Sequence, residues 1–441
     1  MRFGEMGKRY MTTSTMSLYY KLYNALIFEK VAIKMFPDSI KGRRVLELGT
    51  MLAAPFACHI LAELGAEVIK VEPLAGDPTR ALVRGGPSGT FIAYSHGKKS
   101  VAMDLGTEVG RSVFASLLAS ADIVVHNLSP ASARKLKVTY EDCRVLRSNI
   151  IFCHIRGYGE GPMADELASN PVAEASTGVM EANRVNGRPS RLGPSYHDQF
   201  AGAYAVIGIM AALVQREPSE KTHKIEIGLY ETGLHVAARD LAGVQLKTQL
   251  LGTPEREPHG EFAMPGYGAY QSSDERWVYL LMLNDGHWLK FCQALGLPEA
   301  DEEVLRKLKG RKQQRVRVEA TVKAAVGALP YKEIVRKLSD AGMGFTEVLP
   351  IERVLDAPQA RHPGKLVHHE FRNLEFDLPA FPGVDHANLA GLPPRELGAD
   401  TREVLTALGV SESRYSELLQ AGAILDTTTP TFAWAPVRNT T

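Results

Sequence analysis

The sequence has few cysteines, almost no net charge and no apolar run that approaches the roughly 20 residues of a membrane span. Its 51 Lys and Arg residues against 50 Asp and Glu residues provide no overall field that would attract nucleic acid or an acidic membrane. The four cysteines show neither CxxC nor Cys/His ligand spacing, which favours reduced packing residues over disulfides or metal ligands. We therefore expect a cytoplasmic protein with no bound metal, no nucleic-acid partner and no membrane span.

Two common nucleotide-binding signatures are also missing. The first predicted turn between a strand and a helix, GTMLAAP (49–55), lacks GxGxxG, and GxxxxGK[ST] occurs nowhere in the chain. Without these glycine-rich loops, dinucleotide binding and P-loop nucleotide binding both lose their main support. A phosphate-bearing ligand would instead need a local group of basic side chains.

The sequence does contain a regular alternation of β-branched strands and helices. Strands are predicted at RVLEL (44–48), EVIKVE (67–72), VAMDL (101–105), DIVVHNL (122–128) and IIFCHI (150–155). The helix that begins at Pro55 and ends before Gly65 is typical of the segments between these strands. Such alternation indicates a doubly wound α/β fold with a parallel sheet.

The length of 441 residues exceeds what one hydrophobic core usually supports, so we expect two lobes. The composition changes after about residue 245, where a polar, proline-containing loop precedes a short strand and strongly charged helical sequence. We place the boundaries as follows: an N-terminal extension at 1–40, a large lobe at 41–245, a smaller α+β lobe at 246–360 and a C-terminal segment at 361–441.

Basic residues follow or precede several of the predicted strands. Lys70 lies at the end of the second strand, Arg80 in the loop after it, Lys98 and Lys99 before the third strand, and Lys135 after the fourth. Each residue alone is typical of a solvated surface cation. Because open α/β sheets bind ligands at one edge, cations from several loops together favour a phosphate site.

One acidic residue, Asp198, precedes a long run of small and apolar residues in PSYHDQFAGAYAVIGIMAAL (194–213). It has two interpretations. As an N-cap it would accept amide hydrogens of the following helix. As a nucleophile or base it would use the space that the small residues leave, and the free N–H groups of the helix start could hold an acyl oxygen. Residue types alone leave both interpretations open.

Seven segments share their order and spacing with one enzyme family. They are VLELGTMLAAPFACHILAELGAEVIKVEPLAGDPTR (45–80), HGKKSVAMDL (96–105), ADIVVHNLSP (121–130), IRGYGEGP (155–162), SYHDQFAGAYAVIGIMAAL (195–213), PGYGAYQSSD (265–274) and LGADTREVLTALG (397–409). On these segments the chain resembles the family III CoA-transferases, the group that also contains the α-methylacyl-CoA racemases.

The resemblance implies a Rossmann-like, CoA-binding large lobe, a smaller lobe, and a C-terminal segment that returns to the large lobe. It also implies an interlocked-ring homodimer in which two threaded chains contribute to each active site. CoA carries several phosphate charges, and the resemblance places the five cations named above around its nucleotide. Acyl-CoA and CoA are then substrates, and no cofactor is held permanently.

The resemblance assigns the nucleophile to Asp198 and the activity to CoA transfer, of the EC 2.8.3 type. The Asp198 carboxylate would attack an acyl-CoA to give a mixed anhydride. CoA thiolate would then form an aspartyl-CoA thioester, from which an incoming carboxylic acid collects the CoA. A catalytically silent CoA-binding homologue is an alternative from another class.

The chain departs from the racemase branch, which leaves an acyl-CoA racemase or isomerase as the other alternative. Racemases carry a His–Asp pair where this chain has Ser169 and Asn170. Racemisation needs a proton donor and an acceptor on opposite faces of the substrate, and the donor is missing here. His197 adjoins Asp198 in the chain, so we do not expect it across the substrate.

Four residues are predicted to line the acyl pocket: Leu52, Asn170, Gly266 and Gly268. Leu52 replaces a Gln found in some transferases and suggests a more apolar substrate than formate or oxalate. Asn170 replaces an acid and could donate a hydrogen bond to a carbonyl. The two glycines belong to PGYG (265–268), a loop that closes over the intermediate in some members. Glu174 is a candidate substitute carboxylate one helical turn beyond Asn170, although a surface position is the favoured expectation.

Overall fold

The structure is a computed structural model that describes residues 39–83, 86–215, 223–252, 264–372, 374–382 and 392–427. The predicted N-terminal extension lies outside these residues, apart from its last two positions. The chain forms two compact units. The first comprises Met1–Val236 and Pro363–Thr441, and the second comprises Ala237–His362.

Short strands and helices alternate along most of the described chain. The strands are β1 (Arg44–Glu47), β2 (Glu67–Glu72), β3 (Lys99–Met103), β4 (Ile123–His126), β5 (Ile151–Arg156), β6 (Arg184–Val185), β7 (Arg188–Pro189), β8 (His223–Gly228), β9 (Gly268–Gln271), β10 (Trp277–Leu280), β11 (Phe345–Glu347), β12 (Leu366–Phe371), β13 (Leu374–Pro379) and β14 (Ile424–Leu425). The helices are α1 (Ala53–Glu63), α2 (Gly89–Ser95), α3 (Glu108–Ala119), α4 (Pro130–Leu136), α5 (Tyr140–Leu146), α6 (Asn170–Ser176), α7 (Val179–Ala182), α8 (Tyr196–Gln215), α9 (Leu229–Val236), α10 (Ala238–Leu251), α11 (Asp285–Leu295), α12 (Glu303–Arg306), α13 (Leu308–Gln313), α14 (Arg315–Gly327), α15 (Tyr331–Asp340), α16 (Thr401–Ala407) and α17 (Glu412–Gln420).

A seven-stranded sheet forms the centre of the first unit, in the order β14, β3, β2, β1, β4, β5, β8. Its neighbours are parallel, except that β14 pairs antiparallel with β3. One face of the sheet is covered by α1 and α8, and the other by α3, α5, α16 and α17. Because both faces are buried, the central strands read as continuous apolar runs. The prediction of an α/β fold with a mostly parallel sheet is confirmed.

The four cysteines lie in these cores and in the core of the second unit. Cys58, Cys143, Cys153 and Cys292 are buried thiols without disulfides. The prediction that they are packing residues is confirmed.

The turn between β1 and α1 is tightly held at the carboxyl edge of the sheet. Gly49 is required there because a Cβ atom would lie only 2.4 Å from the Cβ of Ala54. The Asn127 side chain fixes the turn, donating to the Thr50 carbonyl at 2.8 Å and accepting from the Thr50 amide at 2.9 Å. This edge is where open α/β sheets bind their ligands.

Helix α8 is long and apolar enough to cross a membrane by length and composition alone, a feature that sequence reasoning missed. One face of the helix nevertheless lies in the core, with Ala201, Ala205 and Ile209 fully buried. Its backbone approaches α1 so closely that a Cβ at Gly202 would lie 2.8 Å from the Ala53 carbonyl oxygen. Such close packing is that of a core helix in a globular unit.

The C-terminal part of the chain contributes to the same sheet through β14 and α16. The Asp400 carboxylate accepts the Ser100 amide hydrogen at 2.8 Å, and the Thr401 hydroxyl accepts that of Ala102 at 3.2 Å. Both bonds satisfy β3 amides next to the β14 pairing, so the tail extends the sheet beyond β3.

The second unit contains a three-stranded antiparallel sheet in the order β11, β10, β9. Helices α11, α14 and α15 cover it through a core that includes Trp288, Phe291, Val322 and Leu338.

Candidate active site

Two cavities open at the carboxyl edge of the parallel strands in the first unit. The first cavity, of about 380 Å³, is lined by the ends of β1, β2 and β3 and by α4. The second cavity, of about 530 Å³, lies between the β1–α1 turn and the starts of α6 and α8. Thr50 and Leu128 line both. The two cavities are therefore neighbours at this edge of the sheet.

Asp198 lines the second cavity from the first turn of α8. Among the described residues, no group donates a hydrogen bond to its carboxylate, so the side chain does not act as a helix cap. Burial raises the pKa of the Asp198 carboxyl to about 6; Arg191 opposes this shift and Glu174 adds to it. The protein thus stabilises the ionised form of Asp198 poorly. A carboxylate in this state is more typical of a reactive group than of a structural one.

Asn170 holds the backbone beneath Asp198. Its side-chain oxygen accepts the amide hydrogens of His197 at 2.9 Å and Asp198 at 3.3 Å. Its side-chain nitrogen donates to Glu174, whose other oxygen accepts from the Leu192 amide at 3.1 Å. These amides of α8 are therefore occupied, and the idea that they hold an acyl oxygen is wrong in this geometry.

The Asn170 side-chain nitrogen carries two hydrogens and donates one of them to Glu174, so its predicted donation to a substrate carbonyl stays a prediction. Glu174 is fully buried, and the favoured surface position was wrong. Its carboxylate is enclosed by Asn170 and the Leu192 amide instead of facing substrate. We infer that Asn170 and Glu174 position the helix start that carries Asp198.

Leu52 lines the second cavity at the start of α1, and its contact with an acyl group stays a prediction. Gly266 and Gly268 lie in the second unit. The Gly266 amide donates to Glu319 at 3.1 Å, and Gly268 pairs with Leu280 in the small sheet. Their predicted closure over an intermediate stays a prediction.

Three of the predicted phosphate ligands have their charged groups enclosed by carboxylates. Lys70 and Lys98, 2% and 3% exposed, share the two oxygens of Glu47 at 2.6 and 2.5 Å. Arg80 donates to both oxygens of Glu72, at 2.6 and 2.7 Å. In this structure these side chains fix loops at the sheet edge and present no free cation to a phosphate.

The remaining two cations differ from each other. Lys99 is bound to Glu67 at 2.9 Å and to Glu403 of α16 at 2.8 Å. Lys135 is exposed, lines the first cavity and has no carboxylate partner among the described residues. Of the five predicted phosphate ligands, Lys135 alone combines a free charge with a position on a cavity in the part of the chain described here.

His197 does not face the second cavity. Its ring is buried, with Nε2 3.3 Å from the Thr177 hydroxyl and close to the backbone of Gly233. No histidine lines this cavity within the described residues. Asp198 and the exposed Glu166 are the carboxylates that line it among the described residues, so no histidine–carboxylate pair of the racemase type faces a substrate here.

Comparisons with known proteins identify the family of this chain. The sequence profile described as CoA-transferase family III matches residues 40–401. The chain belongs to CoA-transferase family III. The succinate–glutarate CoA-transferase of Agrobacterium fabrum is 30% identical to it over 363 residues, which cover 78% of this chain and 88% of that protein. The prediction of a CoA-transferase is confirmed.

Two further proteins are similar to this family III CoA-transferase over most of its length. The succinyl-CoA:glutarate CoA-transferase of Homo sapiens is 29% identical over 404 residues, 87% of this chain and 90% of the human one. A CAIB/BAIF family protein from Brucella suis, solved as a crystal structure, has a TM-score of 0.72 at 26% identity. That alignment covers 84% of this chain and all of the other, and it agrees with the α/β fold.

Sequence reasoning missed Arg191 of this CoA-transferase. The residue lines the second cavity and acts electrostatically on Asp198. Among the described residues no group accepts a hydrogen bond from its guanidinium. Its position seven residues before Asp198 in the chain carries no recognisable motif, so only the folded loop shows that both side chains reach one cavity.

The raised pKa of Asp198 makes a prediction about pH. If the ionised carboxylate attacks substrate, kcat/KM for CoA transfer should fall about tenfold per pH unit below about pH 6. The measurement is the initial rate of transfer from about pH 8 to about pH 5, with tertiary structure monitored by near-ultraviolet circular dichroism as the control. A flat profile to about pH 5 with the fold intact would contradict either the burial of this carboxyl or its reaction.

Proposed function

We propose that this CoA-transferase moves CoA from an acyl-CoA to a free carboxylic acid through a covalent intermediate on Asp198. The observation that carries the proposal is a carboxylate that has no hydrogen-bond donor among the described residues and lines a cavity beside a second cavity at the sheet edge. The acyl group and thioester would occupy the cavity of Asp198. The nucleotide end of CoA would extend to the first cavity, where Lys135 can pair with a phosphate.

The reaction would proceed in four exchanges. The Asp198 carboxylate attacks the thioester carbonyl and displaces CoA thiolate, which leaves an acyl–aspartyl anhydride. The thiolate attacks the aspartyl carbonyl, releases the first acid and forms an aspartyl-CoA thioester. The acceptor carboxylate attacks that thioester and again displaces the thiolate. Attack of the thiolate on the new acyl carbonyl gives the product acyl-CoA and restores Asp198.

We propose a dicarboxylic acid as the substrate class. Arg191 lines the Asp198 cavity with a guanidinium that has no acceptor in the described part of the chain, and a guanidinium pairs bidentately with a carboxylate. Leu52 and Leu229 on the same walls suit the methylene groups between two carboxylates. The relatives described above, which are named for succinate and glutarate, fit this class.

A matched pair of acceptors tests the proposal. With succinyl-CoA as donor, glutarate should be converted to its thioester at least about ten times more efficiently than pentanoate, which has the same chain length and one carboxylate. Arg191→Gln should remove most of this preference. Thioester products are separated by chromatography. Equal use of both acids would contradict the role of Arg191, and α-deuterium exchange without new thioesters would favour a racemase.

We also propose that the chain forms the interlocked homodimer implied by its family. In one isolated chain, two helices expose large apolar side chains: Ile207 and Val214 on α8, and Leu246 and Leu250 on α10. A second copy of the chain would bury these surfaces.

We propose the cytoplasm as the compartment of this protein, because its buried free thiols suit a reducing environment.

If the two chains are interlocked, the dimer should not dissociate on dilution. Two interlocked chains cannot separate without opening a chain, so dissociation should coincide with unfolding. Light scattering should give a mass near twice 48.2 kDa. The same mass should persist on dilution to nanomolar concentration when measured by mass photometry. A folded monomer in rapid exchange with the dimer would contradict the threaded arrangement.

A further inference from the structure

A cluster of histidine and glutamate side chains lies inside the first unit, away from both cavities. His59 and Glu63 are one turn apart on α1, and His96 follows α2. The three side chains belong to residues that are only 8%, 5% and 4% exposed. None of them lines the cavity of Asp198 or the first cavity. The CoA-transfer reaction therefore gives no reason for this cluster.

The ligand atoms of the cluster converge on one point. The Nε2 atoms of His59 and His96 each lie 3.9 Å from the same Glu63 oxygen, Oε1. One ligand atom from each of the three residues lies within 4.8 Å of the other two. A metal ion with bonds of about 2.0–2.2 Å to imidazole nitrogen and carboxylate oxygen separates its ligands by roughly 3–4 Å. Small side-chain movements would reach that geometry.

The hydrogen bonds around the cluster leave acceptors facing each other. His96 Nδ1 lies 3.3 Å from the Ile92 carbonyl, which can only accept, so Nδ1 carries a proton. When the ring is neutral, Nε2 directs its lone pair at the Glu63 carboxylate, and a cation or a further proton must lie between them. Among the described residues, His59 Nδ1 and Glu63 Oε2 are buried without a hydrogen-bond partner. A backbone carbonyl on the second ring nitrogen is the usual support of a metal-bound histidine.

We propose that His59, Glu63 and His96 bind one divalent transition-metal ion of the zinc class. Imidazole and carboxylate together suit zinc and its neighbours in the first transition row. Lys98 lies nearby, but its ammonium is already paired with Glu47. The site is closed to solvent, so its role is structural. The ion would join α1 to the segment between α2 and β3.

His369 gives the site a link to the C-terminal part of the chain. This residue lies on β12, is 1% exposed, and has its ring centre 4.6 Å from that of His96. Its Nδ1 is buried without a partner. His369 therefore packs against the His96 side of the cluster. Binding of a metal ion would order this part of β12 together with α1.

Titration with Co²⁺ tests the proposal on the full-length protein. After removal of metals with a chelator, the wild-type chain should bind one equivalent of Co²⁺ with visible d–d absorption, and Zn²⁺ should displace it. His59→Gln and Glu63→Gln should each weaken Co²⁺ binding by at least about 100-fold, more than loss of an outer-shell partner usually costs. His126→Gln is the matched control, because His126 is buried with no carboxylate beside it, and it should bind like wild type.

Wild-type measurements alone keep the proposal falsifiable if a variant does not fold. Absence of stoichiometric Co²⁺ and Zn²⁺ binding would show that a shared proton satisfies the cluster and would overturn the site. Unchanged binding by a folded His59→Gln protein would overturn it as well. A higher melting temperature with Zn²⁺ and CoA transfer that persists in the chelated, folded protein would support a structural ion.

Discussion

Asp198→Asn is expected to abolish CoA transfer, lowering kcat by at least about a thousandfold, because the amide cannot form the anhydride or the CoA thioester. CoA affinity should change little, since the first cavity is lined by other residues. Transfer is measured by chromatography of the thioesters, and CoA binding by calorimetry. A folded variant that keeps more than a few per cent of the activity would contradict the assignment of the nucleophile.

The same variant should be more stable than wild type. The pKa of Asp198 is raised from 3.8 to about 6 in the folded protein, so its ionisation opposes folding. This cost develops as pH rises through that interval and is complete above about pH 6. At neutral pH, Asp198→Asn should raise the free energy of unfolding by up to about 3 kcal/mol, at 1.36 kcal/mol per pKa unit. An unchanged or lower stability would contradict the burial cost of this carboxylate.

Lys98→Met is expected to lower the free energy of unfolding by about 3 kcal/mol, because it removes one of the two cations that pair with the fully buried Glu47. Lys70 would then be the only cation beside Glu47 in the described structure. Burial alone would lower the pKa of Lys70, but Glu47 and Asp77 outweigh it and hold that pKa above its usual range. The measurement is urea denaturation followed by circular dichroism. The affinity of the folded variant for CoA should stay within about twofold of wild type, since the Lys98 ammonium is enclosed.

Lys135→Met is the matched control, because it also replaces one lysine by methionine near the sheet edge. It should leave the free energy of unfolding within about 0.5 kcal/mol of wild type. It should weaken CoA binding about fivefold, the equivalent of about 1 kcal/mol for one partly exposed phosphate contact. If Lys98→Met weakened CoA binding and Lys135→Met did not, the assignment of the two lysines would be reversed.

Five of the seven strands of the large sheet could be predicted from the sequence because their signal is local, whereas β8 and β14 were not predicted. Buried parallel strands are short β-branched runs bounded by helices, and this pattern needs no knowledge of partners. Predicted and observed strand ends differ by two residues at most, as at 101–105 against Lys99–Met103. Asp198 could also be selected from the sequence as a candidate site residue. The local signal was a single carboxylate just before a run of small and apolar residues.

The partners of charged side chains could not be predicted, because they come from distant parts of the chain. Lys98 and Glu47 are 51 residues apart in sequence and meet only when β1 and the start of β3 are brought into one sheet. From sequence, the enclosed Lys98 and the free Lys135 look alike as basic residues beside strands. Their burial in the folded protein distinguishes them. The charge of Lys98 is compensated by Glu47 inside the protein, and that of Lys135 is available to a ligand.

The sequence by itself determined the α/β class, the family and the acidic residue at the start of α8, because periodic burial and a run of small residues are properties of neighbours in the chain. Tertiary structure alone decided which groups are free to act. It made Asn170 a support of that helix start, buried Glu174, and brought Arg191 to the cavity. The physical reason is that desolvation and pairing of a polar group depend on the atoms folded around it, which no local pattern specifies.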